Sequence, residues 1–309
     1  MSPLLIVIVT FGLIFVVTAS FAQGLSMTMA SLGAALRGHG QLSVMLVISN
    51  FVARPALLLG LAAIIPFDPQ VKMGIVVLAI TAGAPFIPWL VAQGKGDLAY
   101  SVAASFFLLL ITLVVVPFAM PLLLRALDTG ATPSVWLVAW PMLLFILLPL
   151  GLGMICRTRY PNLTAEVGPW LGPISITFLV IHILLYIGYS WSELLSIAGY
   201  GQMAFTVVFA IAGMLIGYLL SPPYVLSPIP AAHPQRGTKI VSVVAVAQQN
   251  TGAVICALIF PLGRYVVAGD YALLGALVTI VLVLIVMLEV GRHVAPAPAT
   301  AAAVPRPAA

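Results

Sequence analysis

The chain has 309 residues, 63% of them hydrophobic and only 6% charged, with a mean hydropathy of +1.23. A soluble domain carries about 25% charged residues, so a water-soluble globule is excluded and an integral membrane protein is indicated. The net charge of +5 comes from basic residues scattered through short polar segments; this is a topology signal, not a nucleic-acid surface.

The apolar segments run to about 20 residues and lack the ~10-residue alternation of barrel strands, so the spans are helices. Nine are expected, the first over 4–28, too long and too polar at its ends for a cleavable signal, and read as a retained span. The second, 42–64, carries Asn50 and Arg54 ahead of Pro55. The third, 71–93, is interrupted by GAPFIP, with Pro85 and Pro88 three apart. The fourth, 98–124, follows Asp97, a helix cap, and contains Ser101 and Ser105. The fifth and sixth, 134–156 and 168–190, are apolar apart from His182, for which a local hydrogen bond is expected; the seventh covers 202–221. The eighth, 239–262, is interrupted by AQQNTG, which places Gln248, Gln249, Asn250 and Thr251 in mid-span, and the ninth, 268–290, ends at Glu289 and Arg292, read as interfacial anchors. The Pro/Ala tail, 295–309, has nothing to bury and is expected to be disordered. Cys156 and Cys256 match no metal or redox spacing and are read as packing residues.

Arg37, Lys95, Arg157, Arg159, Arg236, Lys239, Arg292 and Arg306 fall on one set of loops, and Lys72, Arg125 and Arg264 on the other. The positive-inside rule then puts the N-terminus outside and the C-terminus in the cytoplasm, which agrees with nine spans in a bacterial-type inner membrane.

The two interrupted spans carry the functional reading. Each proline removes an N–H and frees carbonyls, and irregular backbone at bilayer depth survives only where protein or a water-lined cavity satisfies it. Broken spans three and eight lie five apart, the spacing of two five-helix units of opposite orientation, the first without its leading helix. Matching breaks in two halves point to the binding site of a secondary transporter. Arg54, one helical turn after Asn50, is an intramembrane charge and therefore a site residue; its expected acceptors are Asn250, Gln249 and the freed carbonyls, or alternatively an anionic substrate.

FAQGLSMTMASLGAALR, NFVARPALLLG, GKGDLAYSVAAS and AQQNTGAV stand in this order. They resemble the G-L-x-M, glutamine-F-x-x-x-P, G-D/N-x-x-L-S-V-x-x-T and E-V-G-M-Q-N-S-G-L-A segments of the bile acid:sodium symporter family. The resemblance implies an all-α fold with an inverted repeat and two broken, crossing helices. It also implies a panel domain (4–28, 134–156, 168–190) beside a core domain made of the other six spans, together covering 1–294. It further implies sodium ligands at Gln249, Asn250, Ser101 and Ser105, with Asn50 in the place of a liganding glutamine. The family's sodium-site glutamate is Ala245 here, and the serine–asparagine pair of its first break falls on Ile87 and Pro88. Oxygen sites draw much of their affinity from ligand charge, so transport without sodium is expected. The expected function is movement of a small organic anion by alternating access, with no cofactor and with the lipid bilayer as the other partner. The alternatives are a sodium-coupled symporter with a reduced site, a channel, or a membrane-embedded enzyme, for which no nucleophile–base or metal constellation is present.

Overall fold

The computed structural model describes residues 3–192, 195, 200–222, 233, 235–263 and 265–293. The tail, Arg264 and Arg306 lie outside the described residues. All described elements are helical: α1 Pro3–Leu25, α2 Met29–Gly38, α3 Gly40–Ile64, α4 Pro69–Ile80, α5 Ile87–Gln93, α6 Leu98–Ala126, α7 Val135–Arg159, α8 Pro161–Tyr189, α9 Tyr200–Leu219, α10 Arg236–Ala247, α11 Thr251–Ile259 and α12 Val266–Arg292.

Among the described residues, eight helical segments are long and apolar enough to cross a membrane, α10 and α11 being taken together as one. The third expected crossing, 71–93, is divided between α4 and α5, of 12 and 7 residues. At 1.5 Å per residue these reach about 18 and 10 Å, so only together do they match a ~30 Å hydrocarbon core. Thr81–Phe86 forms the irregular link between them. The short α2, capped by a reciprocal Thr28–Ser31 pair, occupies the loop before α3 and was not anticipated; its first turn satisfies donors that bare loop would leave open.

Two helices bend for one reason. In α3 the residues Ser49–Ala53 form a π turn, and the Arg54 N–H reaches back five residues to the Ser49 carbonyl. In α7 Leu143–Leu147 does the same, with Leu148 donating to Leu143. Both turns end two residues before a proline, Pro55 and Pro149, whose missing N–H removes the normal ladder bond and lets the preceding turn widen. The extra residue widens the helix locally in the turn that carries Asn50.

α1 packs chiefly on α7 and α8, while α4, α6, α9, α10 and α12 pack among themselves. In the segment Arg236–Ile259, 94% of the apolar window is buried, against 17% for α8. The broken eighth span is thus wrapped by protein on all sides, and α8 is left to face lipid.

Candidate functional site

The two breaks meet. The Asn250 side chain spans them: its Nδ2 donates to the Gly83 carbonyl at 2.7 Å, and its Oδ1 accepts from the Ala253 N–H at 2.9 Å, capping α11. Gly83 has φ +79, and a Cβ there would run into the backbone of Leu109 and Ser105 on α6. Only glycine fits, because the position needs both the left-handed conformation and the close approach.

Arg54 is fully buried and lies between the C-terminal ends of α4 and α10. Its Nη1 donates to the Val246 carbonyl at 2.6 Å. Its Nη2 donates to Thr81 at 2.7 Å, Ala79 at 3.1 Å and Leu78 at 3.4 Å. The Phe209 ring lies 5.9 Å from the guanidinium carbon. Each helix C-terminus bears about half a negative charge, so the two together present about one, which one guanidinium balances. The acceptors are therefore the freed carbonyls alone; Asn250 and Gln249, named as partners from sequence, bond elsewhere.

The remaining freed groups are also met. Thr112 of α6 donates to the Ala82 carbonyl at 3.1 Å and accepts from the Ala82 N–H at 3.0 Å. Ser105 donates to the Ala84 carbonyl at 2.7 Å while accepting from Gln23 Nε2 at 2.9 Å. Gln249 Nε2 donates to Ala247 at 2.7 Å, and Gln248 Nε2 to Thr279 at 3.3 Å. Ser101 is buried but donates to Leu98 in its own helix, 2.7 Å away. Asn50 Nδ2 likewise donates within its helix, to Leu46 at 3.0 Å. Pro85 lies in the break, and Pro88 sits in the first turn of α5, where its missing N–H costs nothing. Asp97 caps α6 by accepting from the Tyr100 N–H at 2.9 Å.

Beside the breaks is a cavity of about 600 Å³ between α1, α7 and α8 on one side and α11 and α12 on the other, a volume suited to a small ligand. Thr251, the first residue of α11, lines it, as do His182 and Tyr186 of α8. The Thr251 hydroxyl is buried and has no partner. Two residues near this cavity escaped the sequence reading. Tyr186 stands in an apolar span like other aromatics, and Asp270, wholly buried in α12 beside the Tyr186 hydroxyl, stands near the start of a span where an acid reads as interfacial. An acid among apolar neighbours was the available signal. His182 is bonded across helices rather than locally: Nδ1 donates to the Ile8 carbonyl of α1 at 2.9 Å.

The model of the sodium bile acid symporter family matches residues 10–197, more than half of the chain. The chain belongs to this family. No curated protein matches it. Membership makes it a membrane protein of a transporter family, and it does not select a substrate or a coupling ion.

Of the four side chains given as sodium ligands, Asn250 Oδ1 is engaged as a helix cap and the Ser105 hydroxyl oxygen accepts from Gln23 Nε2. The Ser101 hydroxyl donates to Leu98 and keeps its oxygen lone pairs, while the half-helix carbonyls hold a guanidinium. Ala245, where the family has its glutamate, is fully buried and supplies no charge.

Proposed function

We propose that this protein carries a small organic anion across the inner membrane by alternating access, without sodium, and that Arg54 is a built-in cation standing where relatives use a bound one. The observation that carries this reading is the four-carbonyl contact of Arg54 with both half-helix ends. A mobile sodium ion there would neutralise the same dipoles, so the fixed charge removes the need for it. A cation entering about 6 Å from the guanidinium would be opposed by roughly 3 kcal/mol at an effective dielectric of ~20, more than a hundredfold in affinity.

The anion preference follows from what is left over. The two helix C-termini are balanced by Arg54, whereas the N-terminus of α11 opens on the cavity with a free Thr251 hydroxyl. Its partial positive charge and unpaired donor suit an anionic group. Under this reading the panel is α1, α7 and α8, the remaining helices form the core, the C-terminus is cytoplasmic, and the two parts rock about the cavity between them.

One observation favours the sodium-coupled alternative: Asn50 Oδ1 is buried without a partner, an acceptor in the place of a liganding glutamine. Equilibrium binding of radioactive sodium to the purified protein separates the two. No saturable binding is expected in the wild type, and weak binding is expected in Arg54→Ala combined with Ala245→Glu. Saturable sodium binding by the wild type at millimolar concentration would refute the proposal.

A further inference from the structure

His182 is held in one orientation. A carbonyl can only accept, so Nδ1 carries the proton of the bond to Ile8 and Nε2 is left as the basic nitrogen. The ring lies directly over Gly12 of α1, where an added Cβ would come within 2.8 Å of Nδ1. Glycine therefore makes the seat. The side chain is 5% exposed and lines the cavity into which Thr251 also faces. Nε2 has no hydrogen-bond partner among the described residues. The ring is thus fixed at one nitrogen while the residue lines a cavity.

We propose that Nε2 of His182 binds a proton that crosses the membrane together with the anion, so that a proton takes over the coupling role which Arg54 has removed from sodium. This rests on the organic-anion reading above. The imidazole takes a proton from water on the side to which the cavity is open, becomes a cation with N–H at both nitrogens, and returns the Nε2 proton to water on the other side. No other bond is made or broken. In the empty cavity a buried imidazolium is unfavourable, whereas beside a bound anion it has a partner of opposite charge. Proton and anion therefore raise each other's affinity by the same factor. The ionisable groups around the ring are Tyr186 and Tyr189 on α8, Tyr265 just before α12, and Asp270 of α12. α1 brings none, and α11 brings only Cys256, which turns to the Pro141 carbonyl. Asp270, beyond the Tyr186 phenol, is thus the one nearby carboxylate among the described residues, and its sign suits a positive ring.

The test uses benzenesulfonate, an anion that stays charged at every pH and does not leak through bilayers. In protein whose other three histidines (His39, His233 and His293) are replaced by Gln, nitrogen-15 NMR should show Nδ1 protonated throughout and Nε2 gaining a proton as the pH falls. Benzenesulfonate should move the midpoint upward by about one pH unit, a tenfold rise in proton affinity. In proteoliposomes an inward proton gradient should speed benzenesulfonate uptake about tenfold in wild type and not at all in His182→Gln. An imidazole that stays neutral to pH 5.5 with benzenesulfonate present overturns the proposal, and so does a variant that keeps the gradient response. If His182→Gln does not fold, the NMR titration decides by itself. Should benzenesulfonate neither stabilise nor enter the wild type at any pH, the anion reading falls, and proton binding is judged from the ligand-free titration alone.

Discussion

At the scale of single residues the balance between Arg54 and four carbonyls governs everything near the breaks. Deleting the guanidinium leaves those carbonyls buried and unpaired at about 1–3 kcal/mol each, partly relieved by entering water. Arg54→Met should therefore lower stability by about 3–5 kcal/mol, as removal of one partner from a buried charge pair does. Arg54→Lys keeps a point charge with shorter reach and should lose less than half of that. Equal melting temperatures for the two variants would show that Arg54 merely fills space. Asn250 is different, since its two bonds join the breaks and cap a helix rather than neutralise a charge. Asn250→Leu removes both; we expect a loss of about 2–3 kcal/mol in stability and of more than nine-tenths of uptake in reconstituted vesicles. Wild-type uptake in that variant would reduce Asn250 to packing.

The helical elements are short where function needs them short. α4 and α10 each end after 12 residues with their carbonyls aimed at Arg54, and α11 begins with a capped N-terminus at the cavity. Gly83 allows the first of these breaks to press against α6. Gly83→Ala imposes a positive φ on a side chain and pushes Cβ into the Leu109 backbone, so we expect poor folding, read as a loss of monodisperse protein in size-exclusion chromatography by severalfold. A fully folded, active Gly83→Ala protein would mean that the break can relax. A second close approach joins α9 to α10, where Gly213 and Gly217 lie against the backbone of Ala247 and Ser242. This is the small-xxx-small spacing that brings membrane helices together, and it packs α9 directly behind the Arg54 site.

For the whole molecule, the cavity lies at the seam between the group α1, α7, α8 and the helices that hold the breaks. Tyr186 and Gly269 face each other across it, the phenol oxygen lying 2.6 Å from where a Gly269 Cβ would be. If transport is a rocking of one group on the other, a short bis-thiosulfonate joining Tyr186→Cys to Gly269→Cys should stop uptake, provided that Cys156 and Cys256 are first replaced by Ser. Cleaving the link with reductant should restore uptake. Uptake unchanged by the link would show that this seam does not move.

What the amino-acid sequence determined by itself was the solvent, the helical class, and the two places where helices must stop. These follow from quantities local in the chain: long apolar runs, the paired prolines of GAPFIP, and polar residues at AQQNTG that lipid would reject. Asp97 as a cap was legible for the same reason, since a cap acts within three residues. The partners of Arg54 were not legible, because its acceptors are backbone carbonyls 24 to 192 positions away. Carbonyls carry no signature in the sequence; every residue has one. Thr112, Gln23 and the His182–Ile8 bond were hidden likewise, since each is a common polar residue whose role depends on which helix lies opposite. Only tertiary packing brought the two freed half-helix ends within reach of one guanidinium, and that meeting turned two isolated irregularities into one charge-balanced site.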